Sequence, residues 1–189
     1  MAEYKLDETF EQVDFNGIVF PKGDYEGCSF IKCNIANADL SNINFTECRF
    51  INCDVSSAKL LNTTLNDVQF QGCKMLGLHF DGCNEFVFSI RMEECVLNLS
   101  SFYKRKMKKM LFKKCSMHEV DLTETDLSAA VFEDCDLKGA IFENTILEKA
   151  DLRRAINYTI DPLTNKIKKA RFSVPAVTGL LYKHDIDIS

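Results

Sequence analysis

The chain lacks any apolar stretch approaching the roughly 18 residues that a membrane-spanning helix needs. Its opening, MAEYKLDETF, also lacks the basic segment and apolar core of a secretory signal peptide. These two absences predict a cytoplasmic protein without membrane contact. The formal net charge is only −5, and this mild acidity disfavours direct binding of nucleic acid.

Residues of the kind that build catalytic sites are also few. The three histidines, His79, His118 and His184, are far apart in the sequence and form no Ser/His/Asp or Cys/His arrangement. The glycines form no GxGxxG or P-loop pattern. Nine cysteines are present, but their spacings of five and twenty do not resemble the paired ligands of a zinc site. The sequence therefore predicts a protein that is not an enzyme and has no cofactor or metal.

What the sequence does have is a strict period of five. Large apolar residues occupy every fifth position from Phe10 to Phe80, and the pattern resumes from Met92 to Leu152 with a shift of two residues. Neither the helical period of 3.6 nor the strand period of 2 produces such spacing. We therefore expect each five-residue unit to be one side of a coil, with a two-residue insertion within 81–91. Burial of a Phe or Leu side chain contributes roughly 1.5–3 kcal/mol, so these residues define the interior.

A small residue precedes each large one by two positions, and all nine cysteines occupy this position. Cysteines recur at intervals of twenty, or four units, so the coil has four sides. With two residues added for the insertion, one continuous ladder is expected to contain Cys33, Cys53, Cys73, Cys95, Cys115 and Cys135. These thiols are expected to be free and to act as small apolar side chains.

The segments ANADLSN, VDLTETDLSAAVF and CDLKGAIFENTILEKADLRRA resemble the A(D/N)LXX consensus of the pentapeptide-repeat family. The resemblance extends over about residues 10–172. It implies an all-β fold, a right-handed quadrilateral parallel β-helix. We place this solenoid at residues 1–172 and a short C-terminal helix and tail at 173–189.

The same resemblance extends in part to the Qnr-type, quinolone-resistance branch of the family. That branch implies a mimic of the DNA duplex that binds the type II topoisomerases DNA gyrase and topoisomerase IV and protects them from quinolones. The alternative hypothesis is a general protein-interaction scaffold whose partner is unrelated to DNA.

The insertion segment GCNEFVFSIRM contains the two phenylalanines outside the period, Phe86 and Phe88. One interpretation is an exposed aromatic pair that contacts a partner; the other is a bulge that places both rings inside the coil. If the bulge matches a projecting loop of the Qnr-type proteins, Glu85 and Phe86 are the contact residues.

Seven basic residues and no acidic residue lie between positions 104 and 114. This run is a candidate docking site for an acidic partner, with contacts from Lys104, Lys106, Lys108 and Lys109; the alternative is an ordinary polar outer surface. Arg105 falls on the inward register, where an unpaired charge is costly. We expect local distortion there, or a side chain that extends to the surface.

The tail begins with Ser173 as a helix N-cap and Pro175 in the first turn. An open end of a β-helix exposes core and unpaired backbone, so it needs a cover. The tail supplies apolar residues for this cover and for a homodimer interface, as the Qnr-type resemblance implies: Val177, Leu180, Leu181, Ile186 and Ile188.

Overall fold

The computed structural model describes residues 3–184 and 186–187, and in these residues the chain forms ten short β-strands and three 3₁₀-helical segments. The strands are β1 (Glu3–Leu6), β2 (Thr9–Glu11), β3 (Gly23–Glu26), β4 (Ser29–Ile31), β5 (Asn44–Thr46), β6 (Arg49–Ile51), β7 (Thr64–Gln71), β8 (Phe88–Glu93), β9 (Leu111–Lys113) and β10 (Val131–Glu133). The 3₁₀-helical segments are Phe80–Gly82, Val174–Leu180 and Tyr182–His184. No helix in this part of the chain is long and apolar enough to cross a membrane.

Every strand pairing is parallel and joins residues one coil apart. The shift is 20 residues in most pairs, as in Phe30 with Phe50, and 22 residues across the insertion, as in Phe70 with Met92. Four such ladders run along the molecule, and their members include Thr9–Ser29–Arg49, Asp14–Asn34–Asp54, Asp39–Lys59 and Asp24–Asn44–Thr64. The predicted four-sided parallel solenoid is confirmed.

The predicted ladder of cysteines is also present. The residues directly after the cysteines pair from coil to coil in the order Asn34, Asp54, Lys74, Val96, Ser116 and Asp136. Each thiol donates a weak hydrogen bond to a carbonyl oxygen of the preceding coil, with Sγ–O distances of 3.2 Å from Cys73 to Phe50 and 3.4 Å from Cys95 to Phe70. The ladder therefore continues across the two-residue insertion without a change of register.

The large inward residues stack on one another in the same way. The rings of Phe30 and Phe50 are 4.7 Å apart and nearly parallel, at 5°, and those of Phe50 and Phe70 are 5.0 Å apart. Across the insertion, Phe80 stacks on Phe102 at 4.5 Å. These distances match the strand spacing of about 4.8 Å, because each ring sits directly above its counterpart in the next coil.

The chain turns a corner of the coil just after each large inward residue. At many corners the residue two positions after the large one adopts a left-handed backbone, for example Asn52 with φ 54°, Lys104 with φ 59° and Leu99 with φ 64°. Asn and Gly tolerate this conformation, whereas other L-residues incur a cost of roughly 1–2 kcal/mol. The corner geometry thus favours Asn, Asp and Gly, and residues of other types that adopt it, such as Lys104 and Leu99, carry this cost.

The D/N of the consensus also has a structural role. The Asp39 carboxylate accepts a hydrogen bond from the N–H of Ser41, two residues later, at 2.9 Å. Hydrogen bonds from the Ser41 side chain and amide lower the pKa of Asp39 to about 2. Asp121 accepts the N–H of Thr123 at 2.9 Å in the same way. These carboxylates satisfy backbone donors at the corners, so their presence does not by itself indicate a functional acidic surface.

The C-terminal segment covers the last coil. Ala176 and Leu180 pack against the hydrophobic core, and the N–H of Ile160 donates to the carbonyl of Gly179 at 3.0 Å. An ion pair of 2.7 Å joins Lys183 to Asp161 at the same end. The segment therefore packs where a cover of the open end was expected.

The form of the tail differs from the prediction in one respect. The short helix Val174–Leu180 is a 3₁₀ helix, and the side chain of Ser173 makes no capping hydrogen bond. Ser173 does occupy the predicted N-cap position, with an extended backbone, and Pro175 lies in the first turn, but the capping bond itself is not formed.

Replacement of Leu99 by Asn should stabilise the protein by about 0.5–1 kcal/mol, because Asn tolerates the left-handed corner. For a chain of this size this corresponds to a rise of about 2 °C in the thermal unfolding midpoint. The matched control is Leu111→Asn, the same change at an exposed residue of β9 with ordinary strand geometry. A lower midpoint for Leu99→Asn than for Leu111→Asn would contradict corner strain.

Candidate functional site

The two-residue insertion forms a loop that bulges from one side of the solenoid. Cys83 keeps the inward register and is buried, and the N–H of Asn84 donates to the carbonyl of Thr63 in the coil above. The Asn84 side-chain oxygen then accepts the N–H of Phe86 at 2.9 Å, which turns the chain outward. The chain returns to the sheet at Phe88. The segment 84–87, which we call the insertion loop, therefore projects from an otherwise regular side.

The two phenylalanines of this region point in different directions. Phe86 is 88% exposed, whereas Phe88 is half-buried and packs edge-on against Phe80 at 6.2 Å. Each of the two alternative predictions is therefore correct for one residue only: Phe86 is exposed, and Phe88 packs inside the coil. The Asn84 turn decides the outcome, because it places the bulge at 85–87 and leaves Phe88 at the inward position.

Arg105 occupies the small inward position of the next coil, and its side chain stays inside. Its residue exposure is only 6%, so the expected extension to the surface is wrong. The guanidinium donates to the carbonyl oxygen of Asn84 at 3.1 Å and lies over the ring of Phe88 at 4.3 Å. Its Nε has no hydrogen-bond partner within the described chain. The insertion loop is thus held from below by a buried cation.

The expected local distortion at Arg105 is confirmed by the backbone of the next residue. On this side of the solenoid, Asp126, Ile146 and Lys166 each donate an N–H to the coil above, at 2.9–3.0 Å. Lys106, on the same ladder, makes no such bond, and its carbonyl accepts none from residues 3–184 or 186–187. The ladder is therefore interrupted at one rung, directly below the insertion loop.

The basic run does not form one uniform patch. Four lysines are paired with carboxylates, at 3.5 Å for Lys104 with Glu124, 3.4 Å for Lys108 with Asp126, 2.7 Å for Lys113 with Glu93 and 2.9 Å for Lys114 with Glu94. Glu93 raises the pKa of Lys113 above its usual value, mainly through a hydrogen bond. Lys106 and Lys109 have no ion pair within the described residues. The seven residues therefore contribute much less free charge than the sequence indicates.

The predicted contact residues fall into two neighbouring places. Glu85, Phe86 and Lys104 line one cavity, whereas Phe88, Lys106, Lys108 and Lys109 line another. Sequence reasoning missed Leu61, which is 61% exposed and lines the first cavity with Phe86. Leu61 could have been found from the sequence, because it is an apolar residue at a position of the repeat that faces outward.

The cysteines lie inside the solenoid. All nine are buried, as predicted from their inward register. Burial raises the pKa of both Cys48 and Cys83 to about 12, and for Cys83 it outweighs the opposite influence of Arg105. A thiol with a raised pKa is a poor nucleophile and metal ligand at neutral pH.

The histidines lie apart on the surface and in the tail. His79 pairs with Asp81 at 3.3 Å and His118 with Asp136 at 2.9 Å. The described residues contain no group of three or more His, Cys, Asp and Glu side chains arranged to hold a metal ion. The absence of an enzyme site, cofactor and metal stays a prediction.

The candidate dimer residues of the tail differ in accessibility. Leu180 is half-buried against the core, so it belongs to the cover. Val177, Leu181 and Ile186 remain exposed. Ile188 lies outside the described residues.

Two family models match the repeats. A model described as a pentapeptide repeat region matches residues 23–86, and one described as pentapeptide repeats in eight copies matches residues 115–154. Together they cover more than half of the chain, and the first match ends within the insertion loop. The protein is a pentapeptide-repeat solenoid and belongs to the pentapeptide-repeat family.

Among solved structures, the chain is similar to QnrB1, which is described as a plasmid-mediated fluoroquinolone resistance protein. Full-length QnrB1 is 14% identical, with a TM-score of 0.55, and the match covers 98% of this chain and 100% of QnrB1. A trypsin-treated QnrB1 variant is 20% identical, with a TM-score of 0.53 and coverage of 99% and 92%. At these identities the likeness shows the fold alone. No curated protein sequence matches the chain.

Replacement of Arg105 by Ala should loosen the insertion loop, because it removes the bond to the Asn84 carbonyl and the cation–π contact with Phe88. Amide hydrogen exchange at Phe86 and Val87 should accelerate about tenfold, as expected for a loss of about 1–2 kcal/mol. Arg91→Ala is the control, because Arg91 pairs with Asp67 outside the loop. Unchanged exchange in Arg105→Ala would show that the loop is held without Arg105.

Proposed function

We propose that this protein is a non-enzymatic interaction scaffold that binds a protein partner through the insertion loop. One observation carries the proposal: Phe86 is 88% exposed, whereas the other fourteen phenylalanines are buried or packed against the core. Exposure of a whole aromatic side chain is unfavourable for the isolated protein. A partner that covers this ring would recover the lost burial.

The surroundings of Phe86 suit a protein contact. Phe86, Leu61 and Tyr103 line an open cavity of about 570 Å³, with Glu85 and Lys104 among its other lining residues. Aromatic and apolar groups bordered by charges are typical of the energetically dominant part of a protein interface. The loop is also held by Arg105, so little conformational freedom would be lost on binding.

A type II topoisomerase is the second candidate partner. The fold likeness to QnrB1 extends over nearly the whole of both chains and supports this candidate. Mimicry of a DNA duplex has less support from the charges. Asp54, Asp126 and Asp151 accept backbone N–H groups at the corners and also pair with lysine or arginine. Much of the acidity is therefore neutralised within the solenoid.

Phe86→Ser should abolish capture of the partner in an affinity pull-down, because the ring supplies the largest exposed apolar contact. Leu163→Ser is the matched control, since Leu163 is 89% exposed but far from the insertion loop in the sequence. Retention of the partner by Phe86→Ser, or equal loss in both variants, would refute the loop as the binding surface.

The same two variants decide the topoisomerase candidate. In a gyrase supercoiling assay with ciprofloxacin, wild type and Leu163→Ser should restore supercoiling, and Phe86→Ser should not. Neither restoration nor inhibition by micromolar wild-type protein would eliminate this candidate and leave the general scaffold.

We further propose that the protein acts in the cytoplasm as a homodimer joined through the tail, with Val177, Leu181 and Ile186 as exposed contacts. Deletion of residues 174–189 should give a monomer or an aggregating rod, because it removes the contacts and uncovers the last coil. Light scattering measures this directly. A soluble dimer that persists after the deletion would contradict the proposed interface.

A further inference from the structure

We propose that the groove between β8 and residues 106–111 binds an acidic, extended segment of a partner protein. We call it the basic groove. It lies beside the insertion loop but has different lining residues from the Phe86 cavity. The inference rests on the proposed scaffold function, and it specifies the chemistry of the partner.

The lining of the basic groove has charge of one sign. The groove has a volume of about 450 Å³, and four of its ten lining residues are basic, namely Arg91, Lys106, Lys108 and Lys109. None of the ten is acidic. The exposed side chain of Leu111 adds an apolar contact at one end. Such a lining complements carboxylates interspersed with apolar residues.

Internal ion pairs leave part of this positive charge uncompensated. Arg91 pairs with Asp67 at 3.1 Å and Lys108 with Asp126 at 3.4 Å. Lys106 and Lys109 have no carboxylate within 4.0 Å in the described part of the chain. Two ammonium groups at the groove are therefore available to an external anion.

The backbone distinguishes a polypeptide from other polyanions. Lys106 lines the groove, and neither its N–H nor its C=O is hydrogen-bonded within the described residues. Both groups are used at the equivalent rungs, where Asp126 donates to Arg105 and accepts from Met107. An extended peptide offers the matching carbonyl and amide, whereas a nucleic acid offers no regular backbone amide. These unpaired groups therefore favour a protein segment.

The interruption of the ladder has an identifiable origin. A large Arg105 stands where the repeat has a small residue, and the coil above carries the insertion. The bond between Cys83 and Lys106 that the pattern requires is absent for this reason. The unpaired rung is thus a local property of this side.

The proposal can be tested with a fluorescein-labelled peptide, acetyl-Glu-Leu-Glu-Glu-Leu-Glu-amide, and the full-length protein. Fluorescence anisotropy at low salt should show saturable binding. A peptide with Gln in place of Glu, and one with N-methylated backbone amides, should each bind at least tenfold more weakly. Equal binding of either peptide would overturn the proposal.

Matched variants locate the site. Lys106→Gln/Lys109→Gln should raise the dissociation constant at least tenfold, and Lys113→Gln/Lys114→Gln should leave it within twofold. The second pair belongs to the same basic run, but neither residue lines the groove. An equal effect of both double variants would mean that only overall charge matters, and would overturn the proposal.

A ten-nucleotide oligothymidylate tests the other class of polyanion. It should bind more weakly than the acidic peptide and should not displace it at equal concentration; tighter binding that depends on Lys106 and Lys109 would refute the choice of a protein segment. Phe86→Ser separates this proposal from the scaffold function. It should leave binding of the acidic peptide unchanged, so partner loss and peptide loss can be observed independently.

Discussion

The vertical spacing of the coils is the constraint on which the rest of this structure depends. Hydrogen bonds between parallel strands hold successive coils about 4.8 Å apart, so each inward side chain must sit directly on a counterpart. Flat rings satisfy this spacing, as the 4.7 Å and 5.0 Å stacks of Phe30, Phe50 and Phe70 show. Near the corners the space admits only small groups, and thiols such as Cys53 and Cys73 fit while bonding to the carbonyls above. The high content of Phe and Cys has this common cause.

The repeat could be read from the sequence because every unit meets the same environment. Once Cys33, Cys53 and Cys73 were assigned to one column, the two-residue shift placed Cys95 in it as well. Reasoning from periodicity failed where the environment does not repeat. The separate positions of Phe86 and Phe88 depend on one local hydrogen-bond acceptor, the Asn84 side chain. A bond of this kind cannot be predicted from the spacing of the repeat. The period likewise does not predict the 3₁₀ form of the tail segment Val174–Leu180.

On the regular sides of the solenoid, most polar groups form hydrogen bonds or ion pairs with other groups of the solenoid. Corner carboxylates accept backbone N–H groups, and basic residues pair with acidic residues of an adjacent coil, as Lys114 does with Glu94. A surface of this kind has little free energy to gain from a partner. Groups without internal partners occur together at the interruption: the Phe86 ring, the backbone of Lys106 and the ammonium groups of Lys106 and Lys109. Binding is therefore expected there rather than along the length of the rod.

Arg105 and the insertion loop are best understood as one unit. A guanidinium at the small inward position would be a severe defect in a regular coil, because a buried charge without polar contacts is strongly unfavourable. Here the insertion supplies the Asn84 carbonyl at 3.1 Å and the Phe88 ring at 4.3 Å, which partly compensate the charge. The loop in turn depends on the cation for its position. Removal of the insertion alone would leave Arg105 without these contacts, and substitution of Arg105 alone would leave space below the loop. The two departures from the repeat therefore require each other, and together they leave the backbone of Lys106 without a partner in the coil above.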